Sequence, residues 1–167
     1  MSSQPIAKSA ASDPVLRAFL LGLSAGSRSM TPNTVLALRQ PARAARWMHW
    51  VPYRWRIRRA VLVAGMFGEF VGDKLPQTPS RLQPGSLAGR IASGMLAGAA
   101  IGSDGAKSGI TTGAVLGAVG AVAGSFGGYW VRKTIVERSS PPGLPIALLE
   151  DCAAVGLATI ATVPRIA

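Results

Sequence analysis

The stretch that decides the fold runs from Ser108 to Val131 and reads SGITTGAVLGAVGAVAGSFGGYWV, 24 residues without a charged side chain. A transmembrane helix needs about 20 consecutive apolar residues, so this stretch is long enough to cross a bilayer. Only 15% of the residues are charged, whereas ordinary soluble domains have about 25%. The 20 glycines suit helices that pack closely in a membrane. The sequence therefore predicts an all-α, polytopic membrane helical bundle.

Four further apolar segments flank this stretch, at about Val15–Leu38, Ala60–Leu75, Ser86–Gly102 and Leu144–Val163. With it they make about five hydrophobic segments in one integral membrane domain, residues 14–167, after a disordered tail at residues 1–13. Glycines repeated at spacings of four predict close packing of the third segment against the fourth. The glycines assigned to helix packing are Gly94, Gly98, Gly102, Gly120, Gly124 and Gly128.

The sequence predicts a break in the first apolar segment, which is interrupted by the motif GSRSMTP at Gly26–Pro32. Asp13 followed by Pro14 is a strong helix start, because aspartate caps helices and proline suits the first helical position. Pro32 disfavours helix in the residue before it and Gly26 weakens the preceding turn. One interpretation is a broken helix whose freed backbone groups line a site at membrane depth around Arg28. The alternative is a helix that ends near Ser27.

The segment Arg39–Arg59, RQPARAARWMHWVPYRWRIRR, carries seven of the basic residues behind a net charge of +11. Its interleaved aromatic residues favour the headgroup level of a membrane, and basic loops stay cytoplasmic. We interpret it as an interfacial loop that binds anionic lipid headgroups, and we expect no nucleic-acid partner. With this loop inside, the N-terminus would lie outside and the turn at residues 103–108 inside. His49 is the only histidine, which disfavours a histidine metal site.

Charged residues at the ends of apolar segments are the candidate site, because charges in a membrane are costly and need partners. Glu69 and Asp73 are four residues apart and share a helix face. The candidate ion or solute site comprises Arg28, Glu69, Asp73, Lys74, Arg81, Arg90, Glu150 and Asp151.

Three functions remain open for these residues. The leading one is a small transporter or channel-like protein, with Glu69 or Asp73 as the ion or proton site and Arg28 or Arg90 as the counter-charge. The second is a membrane enzyme that acts on lipid or isoprenoid headgroups through a divalent cation, since carboxylate oxygens are hard ligands. The third is a structural or partner-binding subunit whose charges neutralise one another. We expect no resident cofactor, although a divalent cation is an alternative, and the glycine faces favour a homo-oligomer.

A weak internal similarity suggests an inverted repeat. GLSAGSR at Gly22–Arg28 precedes the helix with Glu69, and GSFGG at Gly124–Gly128 precedes the helix with Glu150. An offset of three membrane spans would make the two units antiparallel, as in many small transporters.

The motifs GSRSMTP, GEFVGDKLPQTPSR, PGSLAGRIASG, GSFGGYWVRK and ALLEDCAAVG together resemble a family of small bacterial integral membrane proteins, the domain-of-unknown-function family 4126. The resemblance covers about residues 16–161, and the pattern E-x-x-x-D-K-L-P followed by T-P-S-R is its most specific part. It implies a multi-pass protein of the bacterial inner membrane and supplies no activity. The family's motif positions correspond here to Arg28, Thr31, Pro32, Glu69, Asp73, Lys74, Pro76, Thr78, Pro79, Arg81, Arg90, Glu150 and Asp151.

Overall fold

The computed structural model describes residues 13–47, 55–72, 82–103, 107–139 and 143–163, and all regular structure in these ranges is helical, which confirms the all-α class. The rest of the predicted tail, residues 1–12, lies outside the described residues. The helices are α1 Pro14–Ser27, α2 Thr31–Arg39, α3 Pro41–Trp47, α4 Trp55–Gly72, α5 Pro84–Gly102, α6 Lys107–Ser139 and α7 Gly143–Ala161. All of α3 and the first residues of α4 fall within the segment Arg39–Arg59.

The first apolar segment forms two helices, as the GSRSMTP motif predicts. Helix α1 begins where Asp13 Oδ1 accepts a hydrogen bond from the backbone N–H of Val15 at 2.9 Å. It ends at Ser27, because Arg28 takes an extended conformation with φ −144° and ψ 108°. Helix α2 then starts at Thr31, with a proline in its first turn.

The chain reverses direction at this break, which the sequence did not predict. Arg17, near the start of α1, donates from Nε to Ala161 O at 2.6 Å, at the end of α7. Gln40, just after α2, donates to Thr162 O at 2.9 Å, at that same end of α7. Helices α1 and α2 therefore form a helical hairpin, and Arg28–Met30 is its tip. The start of α1 and the end of α2 lie at one end of the bundle, so the expectation that the first segment crosses from one side to the other is wrong.

Helices α1, α5 and α6 approach one another through glycine. A Cβ atom added at Gly98 would overlap the backbone carbonyl of Gly113, and the added Cβ atoms of Gly94 and Gly102 would likewise overlap backbone on α6. Gly22 and Gly26 of α1 face α6 in the same way. Such contacts bring helix backbones close enough for extensive van der Waals packing.

The order of these glycine contacts fixes the helix directions. Gly22 lies against Gly117 and Gly120, whereas Gly26 lies against Ala121 and Gly124. Both helices advance together, so α1 and α6 are parallel. The predicted inverted repeat pairs these two segments as antiparallel, and this geometry contradicts it.

The interior of the bundle holds small and polar side chains, whereas many large apolar side chains lie on its surface. The buried hydrophobic residues are mostly alanine, and the largest fully buried side chain among the described residues is Arg28. Leu21 of α1 and Leu36 of α2 share one apolar cluster with residues of α5 and α7. Large apolar side chains instead face outward, including Val61, Phe67, Val115, Val119, Trp130, Leu149 and Ile160.

One described helix is long and apolar enough to cross a membrane. Residues Gly109–Ile135 of α6 have a mean hydropathy of 1.5, and one third of the apolar window is buried. At the far end of α6, Tyr129 and Trp130 pack edge to face, with ring centroids 6.0 Å apart. Lys133 Nζ lies 5.2 Å from the Trp130 ring centroid. An aromatic pair beside a basic residue is typical of a membrane interface.

Candidate functional site

The tip of the hairpin places a buried arginine in contact with two other helices. Arg28 is fully buried, and its Nε donates to Asp151 Oδ1 of α7 at 2.7 Å. Its Nη2 donates to the same oxygen, and Nη1 donates to the backbone carbonyl of Glu69 on α4 at 3.2 Å. Because a buried guanidinium needs a counter-charge and acceptors for its N–H groups, Asp151 determines where the tip sits.

Glu69 closes the start of α2. Its Oε1 accepts from the backbone N–H and the hydroxyl of Ser29, at 2.7 and 2.6 Å, and its Oε2 accepts from the backbone N–H of Met30 at 2.9 Å. The N–H groups at the start of a helix have no partner within that helix and carry partial positive charge. Met30 is the N-cap residue of α2, but its own side chain makes no capping hydrogen bond. The carboxylate of Glu69, on another helix, therefore acts as the N-terminal cap.

Arg90 of α5 closes the other side of the break. Its Nη1 donates to the carbonyl oxygens of Gly26 and Ser27 at 2.9 and 2.7 Å. These carbonyls belong to the last turn of α1, which carries partial negative charge. Arg90 Nη2 also lies 4.0 Å from Glu69 Oε1. Each half of the broken helix is thus closed by a side chain of opposite charge.

Neutral polar side chains complete the tip. Ser125 Oγ of α6 donates to Gly26 O at 3.2 Å, and Ser93 of α5 donates to the carbonyl of Ser29. Asn33 Nδ2 in turn donates to Ser93 Oγ at 2.7 Å. Backbone groups exposed by the break are therefore bonded to side chains from α4, α5 and α6.

The four charged side chains that make these contacts have no net charge together, and they lie deep in the bundle. Arg28 and Arg90 carry two positive charges, and Glu69 and Asp151 carry two negative ones. Asp151 is eight residues from the start of α7, a distance of about 12 Å at the helical rise per residue. Since α7 has 19 residues and is about 28 Å long, the tip lies near the middle of that helix.

The structure brings together four of the eight predicted site residues: Arg28, Glu69, Arg90 and Asp151. Glu150 precedes Asp151 on α7 and is half-buried. Asp73, Lys74 and Arg81 lie outside the described residues.

The predicted packing glycines divide between two contacts: Gly94, Gly98 and Gly102 of α5 lie against α6. Gly120 and Gly124 lie against the backbone of α1 at Phe19, Gly22 and Leu23. Gly128, one turn further on, is half-buried.

The carboxylates of the described residues do not assemble a metal site. Across residues 13–47, 55–72, 82–103, 107–139 and 143–163, no three His, Cys, Asp or Glu side chains are grouped to hold a metal ion. Glu69 and Asp151 instead bind N–H and O–H donors of the chain itself.

Sequence reasoning missed several residues that hold the hairpin in place. Arg17 is buried and donates to the carbonyls of Ala161 and Val163, at 2.6 and 3.0 Å, which closes the end of α7. A lone arginine in the apolar run that begins at Val15 was a signal for this role. Asn33 and Ser93 carried no comparable signal, because their roles depend on the chain reversal.

Comparison of the chain with protein-family models, curated proteins and solved structures finds no match. Function is therefore inferred from the geometry of the tip.

Proposed function

We propose that the protein is a small multi-pass membrane transporter or channel-like protein whose ion or proton site is Glu69 at the hairpin tip. The observation that carries this proposal is the carboxylate of Glu69 bound to the N-terminus of α2, with Arg90 4.0 Å away. Broken helices whose ends meet a charged group near mid-membrane are the usual plan of transporter sites.

The distribution of side chains supports insertion in a membrane. Large apolar residues face outward on α4, α6 and α7, while the interior holds alanine, glycine and the paired charges. Helices α5 and α7 have 19 residues each, and a length of about 28 Å matches a hydrocarbon core of about 30 Å. A soluble bundle of this kind would leave a large apolar surface in water.

The reversal at the tip supports one orientation. The end of the bundle that holds Arg17 and Gln40 is the end at which α2 finishes and the basic segment Arg39–Arg59 begins. Positive loops remain in the cytoplasm, so this end faces inward, together with the turn after α5. The bacterial inner membrane and the family 4126 remain predictions from the sequence motifs.

The mechanism follows from the bonds that Glu69 makes. Hydrogen bonds to an ionised carboxylate are about twice as strong as neutral ones. When a proton or a cation neutralises Glu69, its attraction to the N–H groups of Ser29 and Met30 falls. Helix α4 packs mainly against α2 among the described helices, so it separates more easily from the tip once this attraction is weakened. Arg28 and Asp151 stay paired and hold the tip in place.

Flux measurements on proteoliposomes test this proposal. Purified protein is reconstituted with an internal pH-sensitive dye, and proton flux is recorded under gradients of protons, Na⁺ and K⁺. Glu69→Gln keeps an oxygen acceptor for Ser29 but loses the charge, so we expect it to fold and to reduce flux to the rate of empty liposomes. Asp73→Asn tests the second carboxylate of the predicted pair.

A matched control is Glu137→Gln on α6, an exposed glutamate 3.9 Å from Lys133. It removes the same charge far along α6 from the tip and should leave flux unchanged. Absence of flux in the wild-type protein under all three gradients, or equal flux in Glu69→Gln and wild type, would refute the assignment.

A structural or partner-binding subunit is the second candidate, and one observation favours it. Both oxygens of Glu69, and the oxygen of Asp151 that binds Arg28, already accept hydrogen bonds from the chain itself. These hydrogen bonds are sufficient to hold the hairpin in place without a transported ion. The flux comparison separates the two candidates, because a structural role predicts that wild-type protein transports nothing. The metal-dependent enzyme has no comparable support among the described carboxylates.

A further inference from the structure

A cavity of about 410 Å³ lies beside the tip, between α5 and the pair α2 and α4. This volume is within the range of about 300–1,000 Å³ that is typical of small-molecule sites. Most of its wall is apolar and includes Leu36, Leu62 and Leu96. The polar lining residues are Ser29, Asn33 and Ser93, which the hydrogen bonds described above hold together at the tip.

Asn33 presents an unused acceptor at this polar end. It is 7% exposed, and its Nδ2 donates to Ser93 Oγ at 2.7 Å and to Ser93 O at 3.3 Å. No described donor reaches its Oδ1. This oxygen is not one of the fully buried polar atoms that lack a partner, and Asn33 lines the cavity, so the hydroxyl group of a ligand in the cavity can donate a hydrogen bond to it.

The shape and charge of the cavity restrict its ligand further. Its lining on α5 extends from Gly89 to Ala100, which corresponds to about 16 Å along the helix axis. None of the residues that line it is charged. A charged group inside it would have no counter-ion among these lining residues, so an elongated, neutral and mainly apolar ligand fits best.

We propose that this cavity binds a linear hydrocarbon chain that ends in a neutral hydroxyl group, with the hydroxyl donating to Asn33 Oδ1. The chain lies along α5 between Leu62 and Leu96. The cavity adjoins the proposed ion site, because Ser29 and Met30 line it and also bind Glu69, but this proposal does not rest on transport.

Photo-crosslinking of the full chain in bilayer nanodiscs tests the proposal. The probe is hexadecanol with a photoactivatable diazirine in its chain, and labelled residues are located by mass spectrometry. We expect labels on α2, α4 and α5 around the cavity. Unlabelled hexadecanol should compete about fivefold better than hexadecane, because only the alcohol gains the hydrogen bond. Palmitate at alkaline pH should compete poorly, since it is charged.

Two variants test separately how the ligand's hydrocarbon chain and its hydroxyl group contribute to binding. Ala92→Phe places a large side chain in the cavity from an exposed position and should abolish the labelling. Ala123→Phe makes the same change at an exposed position on α6 and should leave it intact. Asn33→Leu should keep the labelling but remove the preference for hexadecanol over hexadecane.

Labels confined to the outer face of α6, or equal labelling of Ala92→Phe and wild type, would overturn the site. Equal competition by hexadecane and hexadecanol in the wild-type protein would overturn the role of Asn33.

Discussion

The buried pair Arg28–Asp151 gives a prediction whose size can be worked from the structure. The side chains of Arg28 and Asp151 are 1% and 10% exposed. Asp151→Ala removes the carboxylate that accepts hydrogen bonds from both Nε and Nη2 of the buried Arg28 guanidinium. Removal of one partner from a buried pair costs about 3–5 kcal/mol. At about 2–4 °C per kcal/mol for a chain of this size, the melting temperature should fall by about 6–20 °C.

Thermal unfolding in mild detergent, followed by far-ultraviolet circular dichroism, measures this change. The double variant Arg28→Met/Asp151→Leu removes both charges and should recover most of the lost stability, because apolar replacement of a buried pair is often neutral or stabilising. Glu137→Ala is the control, since it breaks an exposed pair on α6 worth about 0.3–0.5 kcal/mol. If Asp151→Ala costs no more than this control, or if the double variant is less stable than Asp151→Ala, the pair does not hold the tip and the reasoning fails.

Two further predictions concern the helices around the tip. Gly98→Ala should destabilise the bundle by about 1–3 kcal/mol, since a Cβ atom there overlaps the carbonyl of Gly113. Gly127→Ala has free space around the added Cβ atom and should stabilise α6 by about 1 kcal/mol. Equal melting temperatures for the two variants would contradict the close contact at Gly98. Asp13→Ala should cost about 1 kcal/mol, because it removes the acceptor for the N–H of Val15, and an unchanged melting temperature would show that the cap is not formed.

The sequence predicted features that depend on neighbouring residues. Asp13 and Pro14 predicted the start of α1 because capping is a local interaction. Gly26 and Pro32 predicted the break, since both residues disfavour helix in their own surroundings. Glycines such as Gly98 were assigned to helix contacts because regular spacing places them on one face.

The direction of the chain after the break was not predictable in this way. It depends on Arg17 and Gln40, which both contact the end of α7, more than 120 residues away along the chain. The choice of partner was also undetermined: Arg28 pairs with Asp151, and Glu69 binds the start of α2. Several carboxylates and arginines satisfy the requirement for neutral pairs equally well, and only the packed bundle selects among them.

The hairpin is the central claim, and cysteine accessibility tests it most directly. Cys152 is the only cysteine, so a Cys152→Ala background permits single cysteines at Val15, Ala42 and Gln83, all exposed positions. A maleimide that cannot cross the membrane is added to sealed vesicles of each orientation. We expect Val15→Cys and Ala42→Cys to react from the same side and Gln83→Cys to react from the other. Reaction of Val15→Cys and Ala42→Cys from opposite sides would show that the first segment crosses the membrane, which would contradict the hairpin.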